Sequence, residues 1–184
     1  MEHTSHVIKM GFFQNQVEYF KFFDGEICPS EQIKTTDFHN KKVAIIGSNQ
    51  ATINSFMQIT GQAKSVLFFQ IEPQWIVPQS TKVRMSIIGH PLMVKNKHLF
   101  NKRIKSLLAL RFLEKEVQNT WLRKQLSANL AANQKVFFKS DDFYQAVQKN
   151  NCQLITWPIL KLEGSNIYTI NQENFAVDLI ITTY

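Results

Sequence analysis

The sequence predicts an α/β fold with a central, mostly parallel sheet, a helical insertion and a small antiparallel β-meander. Three observations carry that expectation. The apolar run Val43-Ala44-Ile45-Ile46 stops at Gly47, residues 51–62 then place Ile53, Phe56, Met57 and Ile59 at helical spacing, and a second apolar run follows at Ser65-Val66-Leu67-Phe68-Phe69-Gln70. Short apolar runs without polar alternation read as strands buried on both faces, and strand, helix and strand in that order make a βαβ unit.

The other elements follow in chain order. Residues 1–40 read as a linker region leading into the domain, which spans 41–184. Pro73 and Pro78 end the second strand and open a loop. Between Phe100 and Leu122, Ile104, Leu107, Leu108, Leu113, Val117 and Trp121 recur near a 3.6-residue period, with Lys and Arg between them. This predicts two helices in an insertion of about 95–134, broken near 129–134. Ser140-Asp141-Asp142 is a helix-cap pattern ahead of Phe143, Tyr144 and Val147. Residues 153–156, 159–162 and 167–170 read as short strands, the last two joined by a turn at Gly164-Ser165-Asn166, and 177–181 as a final buried strand.

Composition narrows the function classes. With 184 residues, 44% hydrophobic and fifteen Phe, the chain has enough apolar surface for one folded core and is no disordered tail. Two cysteines, Cys28 and Cys152, build neither a disulfide framework nor a four-cysteine zinc site, which favours a reducing compartment and a cytoplasmic protein. No signal peptide is expected. The longest charge-free run, 43–63, carries Asn49, Gln50, Asn54, Gln58 and Gln62 and is no membrane span. His3, His6, His39, His90 and His98 lack metal-ligand spacing, and no Gly-x-Ser-x-Gly elbow supports hydrolase chemistry. The net charge of +7 is concentrated: residues 82–139 hold thirteen Lys or Arg against Glu114 and Glu116, a local balance of +11. Those cations are spread around the helices without a nucleic-acid recognition motif, so a solvated face, or weak contact with an anionic membrane surface, is expected rather than specific nucleic-acid binding.

The chemistry-bearing candidate is Gly47-Ser48-Asn49-Gln50-Ala51-Thr52, at the turn from strand to helix. A dinucleotide loop uses Gly-x-Gly-x-x-Gly there: one glycine for the turn, one for close approach of the pyrophosphate, one for helix packing. Only the first is present. Asn49 tolerates a left-handed backbone but puts a side chain where the pyrophosphate would lie, and Thr52 is bulkier than the usual small residue. At the end of the second strand, where an acid would hold ribose hydroxyls or an Arg the extra phosphate of NADP, stand Gln70, Ile71 and Glu72. Spacing leaves a dinucleotide loop and a plain structural turn both open.

Lys41-Lys42-Val43-Ala44-Ile45-Ile46-Gly47-Ser48, together with Phe69-Gln70-Ile71-Glu72-Pro73-Gln74-Trp75 and the later Pro78, resembles the flavin-containing monooxygenases of the Baeyer-Villiger and related N- and alkane-oxygenating kind. Phe23-Asp24-Gly25-Glu26-Ile27 resembles the start of that family's fingerprint. Phe143-Tyr144-Gln145-Ala146 and Asp178-Leu179-Ile180-Ile181 resemble its later helix and terminal strand, so the likeness spans most of 10–184. In the family an FAD-binding domain is interrupted by a Rossmann-like NADPH-binding domain. Lys9-Met10-Gly11-Phe12-Phe13 and Thr182-Thr183-Tyr184 look like the two crossings.

The resemblance therefore implies a partial or degenerate NADP-binding domain, with Gly47, Ser48, Asn49, Gln50, Ala51 and Thr52 at the pyrophosphate and Gln70 and Ile71 beside the adenosine ribose. FAD enters only if a flavin-binding domain or neighbouring polypeptide supplies its site, so the isolated chain is expected to have no monooxygenase turnover. Asn49 replaces the second glycine, Ile71 replaces the phosphate-binding Arg, and the fingerprint His and Trp are missing near Cys28-Pro29 and Gln32-Ile33. Those departures suggest a decayed or repurposed domain. The alternative is a non-catalytic Rossmann-like module that binds a protein partner or an anionic surface through its basic helices.

Overall fold

The computed structural model of the chain describes residues 20–70, 72–88, 102–132 and 134–183. The resemblance to a first crossing at 9–13, the role given to Ile71, the end of the second crossing at Tyr184 and part of the expected helical insertion lie outside them. The fold is mixed α/β in two compact units, one from 1–71 with 150–184 and the other from 72–149.

The first unit is built on five parallel strands. In chain order they are β1 (Glu26–Pro29), β2 (Lys42–Ile46), β3 (Ser65–Phe69), β6 (Cys152–Ile155) and β10 (Leu179–Thr182), and in space the order is β1-β10-β2-β3-β6. β2 and β3 pair in register from Lys42 with Ser65 to Ile46 with Phe69, and helix α1 (Gln50–Gln62) joins them as the expected βαβ unit. Val43, Ala44, Ile45, Val66, Phe68, Leu179, Ile180 and Ile181 are fully buried, as the unalternating runs require of strands covered on both faces. Ile53, Phe56 and Ile59 form the inward stripe of α1, and Phe56 meets Phe68 edge to face with ring centroids 5.0 Å apart. β1 is an edge strand drawn from the stretch that reads as a linker. Its partner in the sheet lies about 150 residues away in sequence, so no local pattern announces it.

Asp178 knots this sheet together. Its amide donates to Lys42 O (2.8 Å), its carboxylate accepts from the Lys42 amide (2.7 Å), and its carbonyl accepts from the Glu26 amide (3.0 Å). One residue thus sets the start of β1, β2 and β10 at a common level. The antiparallel meander also belongs to this unit: β7 (Ile159–Glu163), β8 (Asn166–Thr169) and β9 (Asn174–Ala176). Ile159, Leu162, Ile167 and Val177 share one apolar cluster with Phe23, Ala44, Phe69 and Ile180. β7 and β8 fall within a residue or two of their expected limits, while β9 went unforeseen because three residues carry no period.

The second unit holds β4 (Trp75–Val77), paired in parallel with β5 (Phe137–Lys139), and four helices among the described residues: α2 (Thr81–Ile88), α3 (Lys102–Glu116), α4 (Thr120–Leu126) and α5 (Phe143–Val147). The expected loop between Pro73 and Pro78 contains β4. Two basic helices are present, but the break between them falls at 117–119 rather than 129–134. Asn119 sets it, because its side chain accepts from the Leu122 amide (3.0 Å) and so starts a new helix. The buried face of α3 is Ser106, Leu108, Ala109, Phe112 and Leu113. Leu107 is 53% and Trp121 70% exposed, so the expected apolar stripe is only partly inward. The cap pattern at 140–142 divides its work: Ser140 Oγ accepts from the Phe143 amide at α5, while the Asp141 carboxylate accepts from the Gln79 and Ser80 amides ahead of α2.

Candidate functional site

In open parallel α/β sheets, ligands gather outside the carboxyl ends of the strands. Here Pro29, Thr182, Ile46 and Phe69 end β1, β10, β2 and β3 at one level, and the segment 47–52 leaves that edge. Gly47 turns the chain with φ at +84°, a left-handed conformation that a side chain would strain. Asn49, by contrast, is extended (φ −134°, ψ −178°) and is the N-cap of α1. The left-handed tolerance that the sequence offers at Asn49 goes unused, because a helix cap needs the β region.

The cap is closed from both sides. Asn49 Oδ1 accepts from the Thr52 amide (3.0 Å), while the Asn49 amide donates to Thr52 Oγ1 (2.8 Å). This reciprocal box satisfies two donors that a helix N-terminus would otherwise offer to an anion. Asn49 Nδ2 then donates to Ser30 Oγ (2.8 Å), tying the loop to the 3-10 helix Ser30–Thr35 that follows β1. Sequence reasoning missed Ser30. The Asn-x-x-Thr spacing could have shown the box, whereas a contact 19 residues away has no local signature.

Of the other predicted residues, Ser48 and Gln50 are half-buried in the same loop and Ala51 is exposed on the first turn of α1. Gln50 Nε2 donates to Asn54 Oδ1 (2.8 Å). Gln70 follows β3 at the level of Gly47. It is buried, its amide donates to Ile155 O (2.9 Å), and its side-chain Oε1 finds no donor among the described residues. An orphaned buried acceptor costs about 1–3 kcal/mol, so Gln70 is the residue of this edge with unmet capacity. The structure thus brings Gly47 to Thr52 and Gln70 together, with Ile71 outside the described residues.

A dinucleotide therefore meets a site that fits it in part. The Gly47 turn and the start of α1 have the right form, while the Asn49 side chain lies across the donors that would hold a pyrophosphate. Removing that side chain has a cost of its own: Asn49→Ala is expected to lower the stability of the chain by about 0.5–2 kcal/mol, the range for losing an N-cap, measured by urea unfolding. A loss below about 0.3 kcal/mol would show that the box contributes nothing to stability.

Cys28 is no competing centre. Its thiol lies within 3.1 Å of Thr36 Oγ1, and burial pushes its pKa up, against the lowering effect of that hydrogen bond, which leaves it a poor nucleophile. Among the described residues no group of three His, Cys, Asp or Glu could hold a metal ion, and no helix is long and apolar enough to cross a membrane.

No family model matches the chain. It is 25% identical to the FAD-binding monooxygenase ktnD of Aspergillus niger, over 80% of this chain and 28% of that protein. It is 24% identical to a Baeyer-Villiger monooxygenase of Pseudomonas aeruginosa, over 86% of this chain and 34% of that protein. The chain thus spans about a third or less of these curated relatives. Among solved structures it superimposes on an oxidized steroid monooxygenase bound to NADP with a TM-score of 0.71 and 14% identity, covering 96% of this chain and 44% of that one. OTEMO in complex with FAD and NADP gives a TM-score of 0.67 and 15% identity, over 89% and 42%. The resemblance to flavin-dependent monooxygenases holds in sequence, and the solved structures share the fold.

Proposed function

We propose that this chain is the NADP(H)-binding domain of a flavin-dependent monooxygenase, working with a flavin-binding domain. The observation that supports this reading most is the Gly47 turn: a glycine at φ +84° between a buried parallel strand and a helix, at the carboxyl edge of a five-stranded parallel sheet. The likeness to monooxygenases over most of this chain supports it further. The chemistry implied is hydride delivery from a reduced nicotinamide to a flavin.

In this reading the chain's own residues bind and orient. Gly47 and Ser48 let the backbone approach the pyrophosphate, and the first amides of α1 donate to it. Gln70, which carries an unmet acceptor just after β3, borders the ribose in this reading. Asn49 has to leave its box with Thr52 before the pyrophosphate can be held. That displacement costs about 1 kcal/mol, the worth of an N-cap.

Titration of the chain with NADPH and NADH tests the reading. Saturable binding is expected, and Asn49→Gly, which opens the box in advance, should tighten it about fivefold. Asn49→Arg should weaken it by filling the cradle. Absence of saturable binding to either nucleotide in both the native chain and the Asn49→Gly variant would sink the proposal.

A further inference from the structure

The second unit contains a cavity of about 250 Å³, set between the ends of β4 and β5 and the facing sides of α2 and α3. Its walls are apolar where Val77, Leu108 and Phe137 meet, and three cations, Arg84, Lys105 and Lys139, stand on its lining. Among the described residues that line it, none is acidic.

Two of the cations, Arg84 and Lys105, have defined surroundings. Arg84 is half-buried and held by its own turn: Nε donates to Ser80 O (3.4 Å), and Nη2 to Gln79 O (3.2 Å) and Thr81 Oγ1 (3.4 Å). These bonds fix the plane of the guanidinium and leave Nη1 without a partner among the described residues. Lys105 lies with Nζ 6.0 Å from the centre of the Phe137 ring, so its charge sits over an aromatic wall of the cavity. The nearby Asp141 carboxylate is engaged by the Gln79 and Ser80 amides (2.8 Å and 3.0 Å). Arg84 and Lys105 bring like charges to one apolar hollow, and an anion placed between them relieves their repulsion while its apolar part takes up the walls.

We propose that this cavity is a binding site for a small organic carboxylate, with the carboxyl group between Arg84 and Lys105 and an apolar body against Val77, Leu108 and Phe137. Its volume lies just below the range of about 300–1,000 Å³ usual for drug-sized ligands, which limits the occupant to a short aliphatic or single-ring acid. Arg84 Nη1, the nitrogen left over by the bonds to Gln79, Ser80 and Thr81, gives one charge-assisted hydrogen bond to a carboxylate oxygen, with the Lys105 ammonium as the second charge. The site is independent of the nucleotide reading, since it uses no residue of the 47–52 loop.

Calorimetric titration of the full chain with octanoate, and with octan-1-ol as the uncharged counterpart, tests it. Octanoate should bind saturably with one site per chain, and octan-1-ol at least about tenfold more weakly. Lys105→Gln, which removes a charge on an exposed side chain, should weaken octanoate about fivefold, while Lys124→Gln on α4, outside the cavity, should leave it unchanged. Equal binding of acid and alcohol would overturn the proposal by showing an apolar hollow alone. So would equal effects of the two lysine variants, which would reveal general attraction to a basic surface, or no saturation below about 10 mM.

Discussion

Phe68→Ala is expected to destabilise the chain by about 3–5 kcal/mol, the range for truncating a fully buried aromatic side chain. Phe68 is fully buried in β3, which is flanked by β2 on one side and β6 on the other. Its ring meets Phe56 of α1 edge to face, so truncation opens a void against the helix that joins β2 to β3 and also removes an aromatic pair. Such a loss is a large part of the about 5–15 kcal/mol that folded domains possess. Urea unfolding followed by circular dichroism measures it, and Phe68→Leu, which keeps most of the volume, should cost about half as much or less. A change below about 2 kcal/mol would mean that the sheet and α1 close over the gap, contrary to the packing described.

Gly25→Ala should cost about 3 kcal/mol for a different reason, since nothing is deleted. A Cβ built on Gly25 falls 2.5 Å and 2.6 Å from ring atoms of Phe23 and 2.7 Å from the carbonyl oxygen of Asp178. The Phe23 ring is buried in the apolar cluster beneath the sheet, and the Asp178 carbonyl is the acceptor that starts β1. Both must shift, and moving that oxygen loosens the Glu26 bond that anchors the edge strand. Gly164→Ala provides the contrast. There the nearest atom is Asp24 Oδ2 at 3.7 Å, so only the left-handed backbone (φ +58°) is penalised, at about 1–2 kcal/mol. Thermal unfolding of the two variants should therefore rank Gly25→Ala clearly below Gly164→Ala, and the reverse order would contradict the crowding argument.

Much of the central architecture was legible in the residues because its signals are local. The runs at 43–46 and 65–69 lack polar interruption, and α1 carries an uninterrupted inward stripe. The elements that escaped are short or have distant partners. β4 and β9 are three residues each, too few for any period to register. β1 is recognisable only through its pairing with β10, and α2 has no strong apolar face to mark it. In the candidate site the turn at Gly47 could be read from the strand-to-helix junction, and the identity of Asn49 as a cap was available in Asn49-x-x-Thr52. The bond from Asn49 to Ser30 was not, since it is made by tertiary proximity. The exposed Trp121 and Leu107 show the same limit from the other side: periodicity finds an amphipathic helix but not which of two adjacent leucines faces inward.

The three bonds of Asp178 also bear on the order in which the chain can fold. Lys42 and Asp178 are 136 residues apart, so β2 waits for its β10 neighbour until the residues between them have been synthesised. Residues 72–149 form a unit contiguous in sequence, able to gather through shorter loops before then. Synthesis thus leaves β2 and β3 as an apolar pair with an open edge for the time needed to make more than a hundred residues, several seconds or more at about 5–20 residues per second. The sheet that carries the candidate site is for that interval the part of the molecule most open to misassembly, and the arrival of Asp178 is what ends the exposure.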